Sequence, residues 1–198
     1  MTTACWNCRG FGNDPTVRRL KEINRMNLLD IIALSETKQQ DAYIQDKGLE
    51  LGFSNFISVP PVSLSGGLVV FWKDFVDISL CFSSPNLVDL FVQSNEGNFY
   101  LSFVYGHPNP SFRNHLWERL ERTFTTREGS PLLIMGDFNK ILSNREKRGG
   151  RQRPELSFQD MRRMVRCCNF SDLKSIGDRF SWAGQRGDHY VSCWRVQL

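Results

Sequence analysis

The sequence predicts an α/β fold in which β-sheets pack together with helices outside. Three observations lead there. Short apolar runs bounded by turn residues recur along the chain. Leu87–Gln93 and Phe99–Tyr105 flank Ser94-Asn95-Glu96-Gly97-Asn98, a hairpin signature with a Gly-containing loop. Other stretches space their apolar residues for helices, and a mixture of antiparallel hairpins and helices fits stacked sheets with helices outside. With 198 residues, 40% apolar and 23% charged, the chain is expected to form one domain with a sizeable core.

Taken in order, residues 1–8 read as a short strand ending at Asn7. Asp14 is an N-cap with Pro15 at the first helical position. Val17, Leu20, Ile23 and Met26 give that helix its stripe, and it ends near Asn27. Residues 29–34 form a buried strand, with Ser35-Glu36-Thr37 just past its end, and 53–59 form another. Ser65-Gly66-Gly67 opens the run 68–72, with which 76–82 is expected to pair. Beyond the hairpin, Leu116, Trp117, Leu120 and Phe124 make an amphipathic helix. It leads to four apolar residues behind Pro131, a short buried strand that runs into Gly136-Asp137-Phe138-Asn139. A basic loop, 140–153, follows and is expected to be mobile. Ser157-x-x-Asp160 resembles a capping box with Leu156 and Met161 as a hydrophobic staple, on a helix reaching about Cys168. Residues 180–182 and 191–196 close the chain as two strands around 185–188. There is no internal repeat, low-complexity tract or linker.

Composition excludes some functions. No apolar run approaches the roughly 20 residues needed to span a bilayer. The first residues have no basic region followed by an apolar stretch, so an intracellular setting is expected, with the nucleus open. Six cysteines (5, 8, 81, 167, 168 and 193) are then expected as thiols. Cys5-x-x-Cys8 is half of a zinc spacing that nothing completes. The net charge of +4 is uneven. From Lys140 to Arg166 nine basic residues face three acids, a balance of +6 that leaves −2 for the rest. Such a cluster suits a polyanionic partner or a solvated face.

The strand ends carry the chemistry. On an extended backbone residues two apart share a face, so Asp137 and Asn139 are expected to project together from the strand end, behind a glycine that lets a ligand come close. The alternative is that Gly-Asp-Phe-Asn is a polar turn. Asn7, Glu36 and Tyr105 also stand at strand ends. Together the five supply two carboxylates, two amides and a phenol. A Glu beside an Asn is a plausible first shell for magnesium, which takes few protein oxygens and keeps its waters. The others could orient a water and stabilise charge on a phosphoryl group.

Trp6-Asn7-Cys8-Arg9-Gly10, Ser35-Glu36-Thr37-Lys38, Ser65-Gly66-Gly67-Leu68, Tyr105-Gly106-x-Pro108-Asn109 and Gly136-Asp137-Phe138-Asn139 occur in order and at sensible spacing. Over nearly the whole chain this resembles the endonuclease/exonuclease/phosphatase family, and more closely the endonuclease domain of plant LINE-type (non-LTR) retrotransposons. Arg145–Gly150 and Phe180-Ser181-Trp182 fit that subgroup. The resemblance implies a DNase I-like four-layer sandwich: two mixed sheets face to face with helices outside, the last strands missing. It implies magnesium, with manganese as an alternative, held by Glu36 and Asn7. Tyr105 would contact the phosphate, Asp137 would position or deprotonate the attacking water, and Asn139 would steady the phosphate. The reaction implied is phosphodiester hydrolysis that nicks DNA. Lys140, Arg145, Lys147, Arg148, Arg151 and Arg153 would meet the nucleic acid, since Lys/Arg contacts dominate non-specific DNA affinity. No membrane and no obligate protein partner is expected.

The resemblance also has a gap. The family's late Ser-Asp-His motif is absent, and Trp194-Arg195-Val196-Gln197 looks like an earlier segment with Gln197 where an orienting Asp should stand. Asp188-His189 is a poor substitute, because it falls in a variable hairpin. His107 could lie near the site, and His115 is expected on a solvated helix face. The expectation is an endonuclease-like chain, incomplete at its C-terminus, with weak or no activity. The alternatives are a non-catalytic nucleic-acid-binding remnant and, from the breadth of the fold, a phosphoesterase on lipid or small phosphates.

Overall fold

The computed structural model of the chain describes residues 1–62, 66–173, 180–186 and 189–193. They fall into two compact units, Met1–Tyr105 with Pro131–Gly136, and Gly106–Ser130 with 137–198.

In the first unit, β1 (Thr3–Asn7) runs parallel to β2 (Ile31–Ser35). β3 (Asn55–Val59) and β4 (Leu68–Trp72) complete a sheet of order β1-β2-β4-β3, with β4 antiparallel to both its neighbours. A second sheet holds β5 (Asp77–Ser84), β6 (Leu87–Gln93), β7 (Phe99–Tyr105) and β8 (Leu132–Asp137), in that order. The expected pairing of 76–82 with 68–72 is corrected: β5 pairs antiparallel with β6, from Asp77↔Gln93 to Ser84↔Leu87. The physical reason is the two-residue turn Pro85-Asn86, which closes a hairpin, while β4 has both edges taken by β2 and β3.

The sheets pack face to face. Ile31 and Ala33 of β2 and Leu68 and Val70 of β4 share one core with Val88 and Leu90 of β6 and Leu101 and Phe103 of β7. The alternate residues of the first sheet, Ile32, Leu34, Val69 and Phe71, pack instead on Val17 and Leu20 of α1 (Asp14–Asn27) and Ile44 of α2 (Asp41–Glu50). Burial on both faces explains why β2 and β4 read as uninterrupted apolar runs.

The cap of α1 is Asn13, not Asp14: its extended backbone precedes the helix and its side chain accepts from the Thr16 N–H at 2.9 Å. Met26 is 69% exposed and does not continue the stripe. A three-residue spacing slips about 60° per step around a 3.6-residue helix, so Met26 has rotated to the face opposite Val17. Replacing Asn13 with Ala is expected to lower stability by about 1 kcal/mol, read as a lower urea midpoint. An unchanged midpoint would show the cap to be idle.

In the second unit, α3 (Asn114–Thr125) buries Leu116, Trp117, Leu120 and Phe124, the four residues expected. Trp117 stacks on Phe138 at 6.2 Å, and Phe124 meets Phe170 edge-on at 5.0 Å. The capping box before α4 (Gln159–Cys167) does not form. A 3₁₀ turn over Glu155–Phe158 enters α4 directly, and Ser157 Oγ donates to the Pro154 carbonyl at 2.6 Å. Pro154 starts the helical run early, so Ser157 and Asp160 lie inside it, and the intended staple residue Leu156 is 75% exposed.

The basic loop is folded rather than open. Asn144 and Arg153 bond reciprocally, Nδ2 to carbonyl and Oδ1 from N–H, both at 2.9 Å. Glu146 accepts from the Leu142 N–H at 2.8 Å, and burial raises its carboxyl above the usual range. β9 (Lys147–Arg148) joins β10 (Trp182–Arg186) and β11 (His189–Cys193) in a small sheet of order β10-β11-β9. Ser65, Asp188 and the stretch 194–197 lie outside the described residues. The architecture is thus an α/β fold with two four-stranded sheets and helices, as predicted.

Candidate active site

In the first unit, β1 and β2 run parallel in register, Asn7 opposite Ser35, so their C-terminal ends carry Asn7 and Glu36 side by side. Glu36 Oε1 accepts from Asn7 Nδ2 at 2.8 Å and from the Tyr105 hydroxyl at 3.0 Å. Three of the five predicted strand-end residues are thereby brought together. Asn7 and Tyr105 are buried and Glu36 is half-buried.

The turn that presents Glu36 is strained. Glu36 (φ 56°) and Lys38 (φ 55°) both adopt the left-handed region, which costs a non-Gly residue about 1 kcal/mol or more. Backbone bonds hold it there: Thr37 N–H donates to the Gly67 carbonyl at 3.3 Å and Lys38 N–H to the Gly66 carbonyl at 3.2 Å. Strain held by surrounding structure is common where a side chain must be aimed. On the other side, Asn86 clamps the Tyr105 backbone, its Nδ2 donating to the Tyr105 carbonyl at 2.7 Å and its own carbonyl accepting the Tyr105 N–H at 2.9 Å. Sequence reasoning missed Asn86, and its only signal was the Pro85-Asn86 turn.

Glu36 Oε2 has no hydrogen-bond partner among the described residues. Asn7 turns its amide nitrogen to Glu36, and its Oδ1 accepts the Arg9 N–H at 3.2 Å. A carboxylate oxygen beside an amide oxygen fits magnesium's preference for few, hard ligands. Among the described residues no group of three or more His, Cys, Asp or Glu that could hold a metal is found.

In the second unit, Asp137 and Asn139 also come together, but not by the expected route. Asn139 is left-handed (φ 49°), so the segment is a turn rather than extended backbone. Asp137 Oδ1 accepts the Asn139 N–H at 3.0 Å, and Asn139 Nδ2 donates to the Gly106 carbonyl at 2.7 Å. Asn and Asp suit this geometry because their short side chains bond to nearby backbone. Gly106 N–H in turn donates to the Asp137 carbonyl at 2.8 Å. A Cβ on Gly106 would sit 2.0 Å from the Phe138 carbonyl oxygen, so only glycine allows this double clasp.

Gly136 also has a different role from the one expected. With φ +144°, its Cα lies so close to β7 that an added Cβ would be 2.0 Å from the Val104 carbonyl oxygen. Strand approach, rather than access for a ligand, requires this glycine. Buried Arg113, also missed, donates Nε to the His107 carbonyl at 2.5 Å and Nη2 to the Pro108 carbonyl at 2.6 Å, fixing the turn after Gly106. His107 points into that turn, Nδ1 accepting the Asn109 N–H at 3.0 Å and its ring against Phe112. His115 is exposed.

Among the basic residues, Arg145, Arg148 and Arg151 are exposed, while Lys147 and Arg153 are half-buried. Lys147 bonds to the Arg151 carbonyl. Lys140 differs from them: its side chain is only 8% exposed and its ammonium bonds both oxygens of Asp160. This pairing ties the start of the loop to α4.

The chain's residues 4–194 match the model of the Endonuclease/Exonuclease/phosphatase family. The chain belongs to that family, whose members are typically metal-dependent phosphodiesterases and nucleases. Solved structures show the same fold. The endonuclease domain of TRAS1, a telomere-specific non-LTR retrotransposon, is similar at TM-score 0.68 and 13% identity, over 98% of this chain and 82% of that one. An AP endonuclease from Archaeoglobus fulgidus matches at TM-score 0.67 and 13% identity, over 84% and 70%. A 3′ phosphatase, NExo, from Neisseria, solved bound to a product DNA hairpin, matches at TM-score 0.63 and 13% identity, over 96% and 85%. No curated protein sequence matches the chain. No helix among the described residues is long and apolar enough to cross a membrane.

Cys8 lies beneath the Glu36 turn, its thiol donating to the Ser35 carbonyl at 3.3 Å, and burial pushes its pKa up to about 11. An unfolded thiol ionises near 9, so between pH 9 and 11 the folded chain binds more protons than the unfolded one. Stability contributed by this group is therefore complete below about pH 9 and falls as pH rises, by on the order of 3 kcal/mol. Urea midpoints of the native chain and Cys8→Ala should converge across that window. Parallel pH profiles would rule the effect out.

Proposed function

We propose that this chain is a DNA phosphodiesterase of weak activity that works with magnesium or manganese, and that its ancestry is that of plant LINE-type retrotransposon endonucleases. The observation that supports it most is the half-buried Glu36 carboxylate, steadied through Oε1 by Asn7 and Tyr105 with Oε2 left for a cation. Glu36 and Asn7 would hold the ion. When bound, it supplies a Lewis acid that neutralises charge on the phosphoryl group.

The remaining roles follow the family motif residue by residue. The Tyr105 hydroxyl, already fixed on Glu36, bonds a phosphate oxygen. Asp137, its Oδ1 oriented by the Asn139 N–H, takes the proton of the attacking water. Asn139 keeps its amide aimed through Gly106 and steadies the phosphate. Arg145, Arg148 and Arg151 provide non-specific affinity for the DNA backbone. Their exposure also fits a second reading, a chain that binds nucleic acid without cutting it.

One assay separates the two. Supercoiled plasmid is incubated with the protein in Mg²⁺ or in EDTA. Relaxed circles that form only with Mg²⁺ support hydrolysis. Salt-sensitive plasmid binding without nicking, from folded protein, selects the second reading.

A further inference from the structure

We propose that the chain has a second phosphate station, on α4, that seats a nucleotide of a nucleic-acid strand. It rests on the DNA reading above and concerns binding, not catalysis. Between α3, α4 and the 3₁₀ turn before α4 lies a cavity of about 610 Å³, bounded by Pro110, Asn114, Leu156, Asp160, Arg163 and Arg166, with Lys140 at its wall.

Charge decides what it takes. Lys140 and Asp160 neutralise each other. Glu121 likewise offsets Arg163, so Arg166, three residues on along the same helical face, sets the sign. Arg163 bonds Glu121 through Nε at 3.0 Å, and Arg166 bonds the Arg162 carbonyl through Nε at 3.3 Å. The Nη nitrogens of both have no partner among the described residues. Two guanidinium forks held by Nε with Nη to spare match the bidentate geometry of a phosphate.

The lip decides what is attached to that phosphate. Leu156 is 75% exposed, and with Pro110 it offers an apolar surface to a sugar or base. The volume accommodates a nucleotide-sized group. Arg145, Arg148 and Arg151, exposed on the preceding loop, extend the same charge along the chain. A polyphosphate strand therefore fits better than a lone anion.

The test is anisotropy of a labelled 20-base oligonucleotide in EDTA, which takes the cation site out of the measurement. Arg166→Gln should weaken binding about fivefold and reduce the log–log salt slope by roughly 0.7 to 0.9. Glu121→Gln removes the carboxylate that competes for Arg163 and should tighten binding about threefold, by the strength of a partly exposed charge pair. Opposite shifts cannot come from a general loss of folding. Both variants within twofold of the native chain, or both shifting the same way, would overturn the station. If Arg148→Gln weakens binding while Arg166→Gln does not, the DNA reading stands and this inference fails. Displacement by polyglutamate at lower concentration than by unlabelled oligonucleotide would make the occupant an acidic peptide and also overturn it.

Discussion

Replacing Glu36 with Gln is expected to abolish magnesium-dependent nicking while leaving the fold intact. The substituted amide keeps a carbonyl oxygen where Oε1 now accepts from Asn7 and Tyr105, at 2.8 and 3.0 Å. It replaces Oε2, the oxygen offered to the cation, with an N–H₂ group, and it removes the charge. A neutral amide cannot anchor a hard divalent ion as a carboxylate does. Since the ion stabilises transition-state charge by several kcal/mol, the rate should fall by about two to three orders of magnitude or more. Loss in turnover with unchanged DNA affinity in EDTA would place the effect in the chemical step. Nicking within a few-fold of the native rate would remove Glu36 from the mechanism.

The second large effect is structural. Gly136→Ala should destabilise the chain by about 3 to 5 kcal/mol, a substantial part of the 5 to 15 typical of a domain. The new Cβ would lie 2.0 Å from the Val104 oxygen and 2.8 Å from the Val104 carbon and nitrogen, all backbone atoms that no rotamer change can move. The φ of +144° adds strain of its own for a residue with a side chain. Relief requires β7 and β8 to separate. Each strand ends at a residue of the proposed chemistry, Tyr105 after Val104 and Asp137 after Gly136, so lost stability should bring lost activity. A urea midpoint equal to that of the native chain would show that the strands do not approach as described.

Much of this was readable in the chain because local signals agreed with global placement. β6 and β7 were bounded correctly because turn residues mark both ends of each and their loop contains Gly97. Leu116, Trp117, Leu120 and Phe124 mix three- and four-residue steps, so all four stay on one buried face. Val17 to Met26 steps only by three, and its last member drifts into solvent. Strand partners were harder. The apolar pattern of β5 does not distinguish β6 from β4 as its neighbour; the two-residue turn Pro85-Asn86 does.

At the site, residue types were legible and their geometry was not. Asn7, Glu36 and Tyr105 meet through pairings 29 and 69 residues apart in sequence, which only the motif order suggested. Asp137 and Asn139 do converge, yet through a left-handed turn clasped to Gly106 rather than along a strand. Lys140 reads like its basic neighbours in the sequence, yet Asp160, 20 residues on, pairs with it. Charge counting cannot distinguish a neutralised lysine from an exposed arginine, because pairing is a tertiary property.

The claim on which the account turns is that Glu36 holds a divalent cation. Mn²⁺ titrated into the native chain and into Glu36→Gln, followed by the loss of its free-ion electron paramagnetic resonance signal, reads this without DNA and without turnover. The account predicts one saturable Mn²⁺ site in the native chain, displaced by Mg²⁺ and weakened at least tenfold in Glu36→Gln. Equal Mn²⁺ binding by both chains would contradict it.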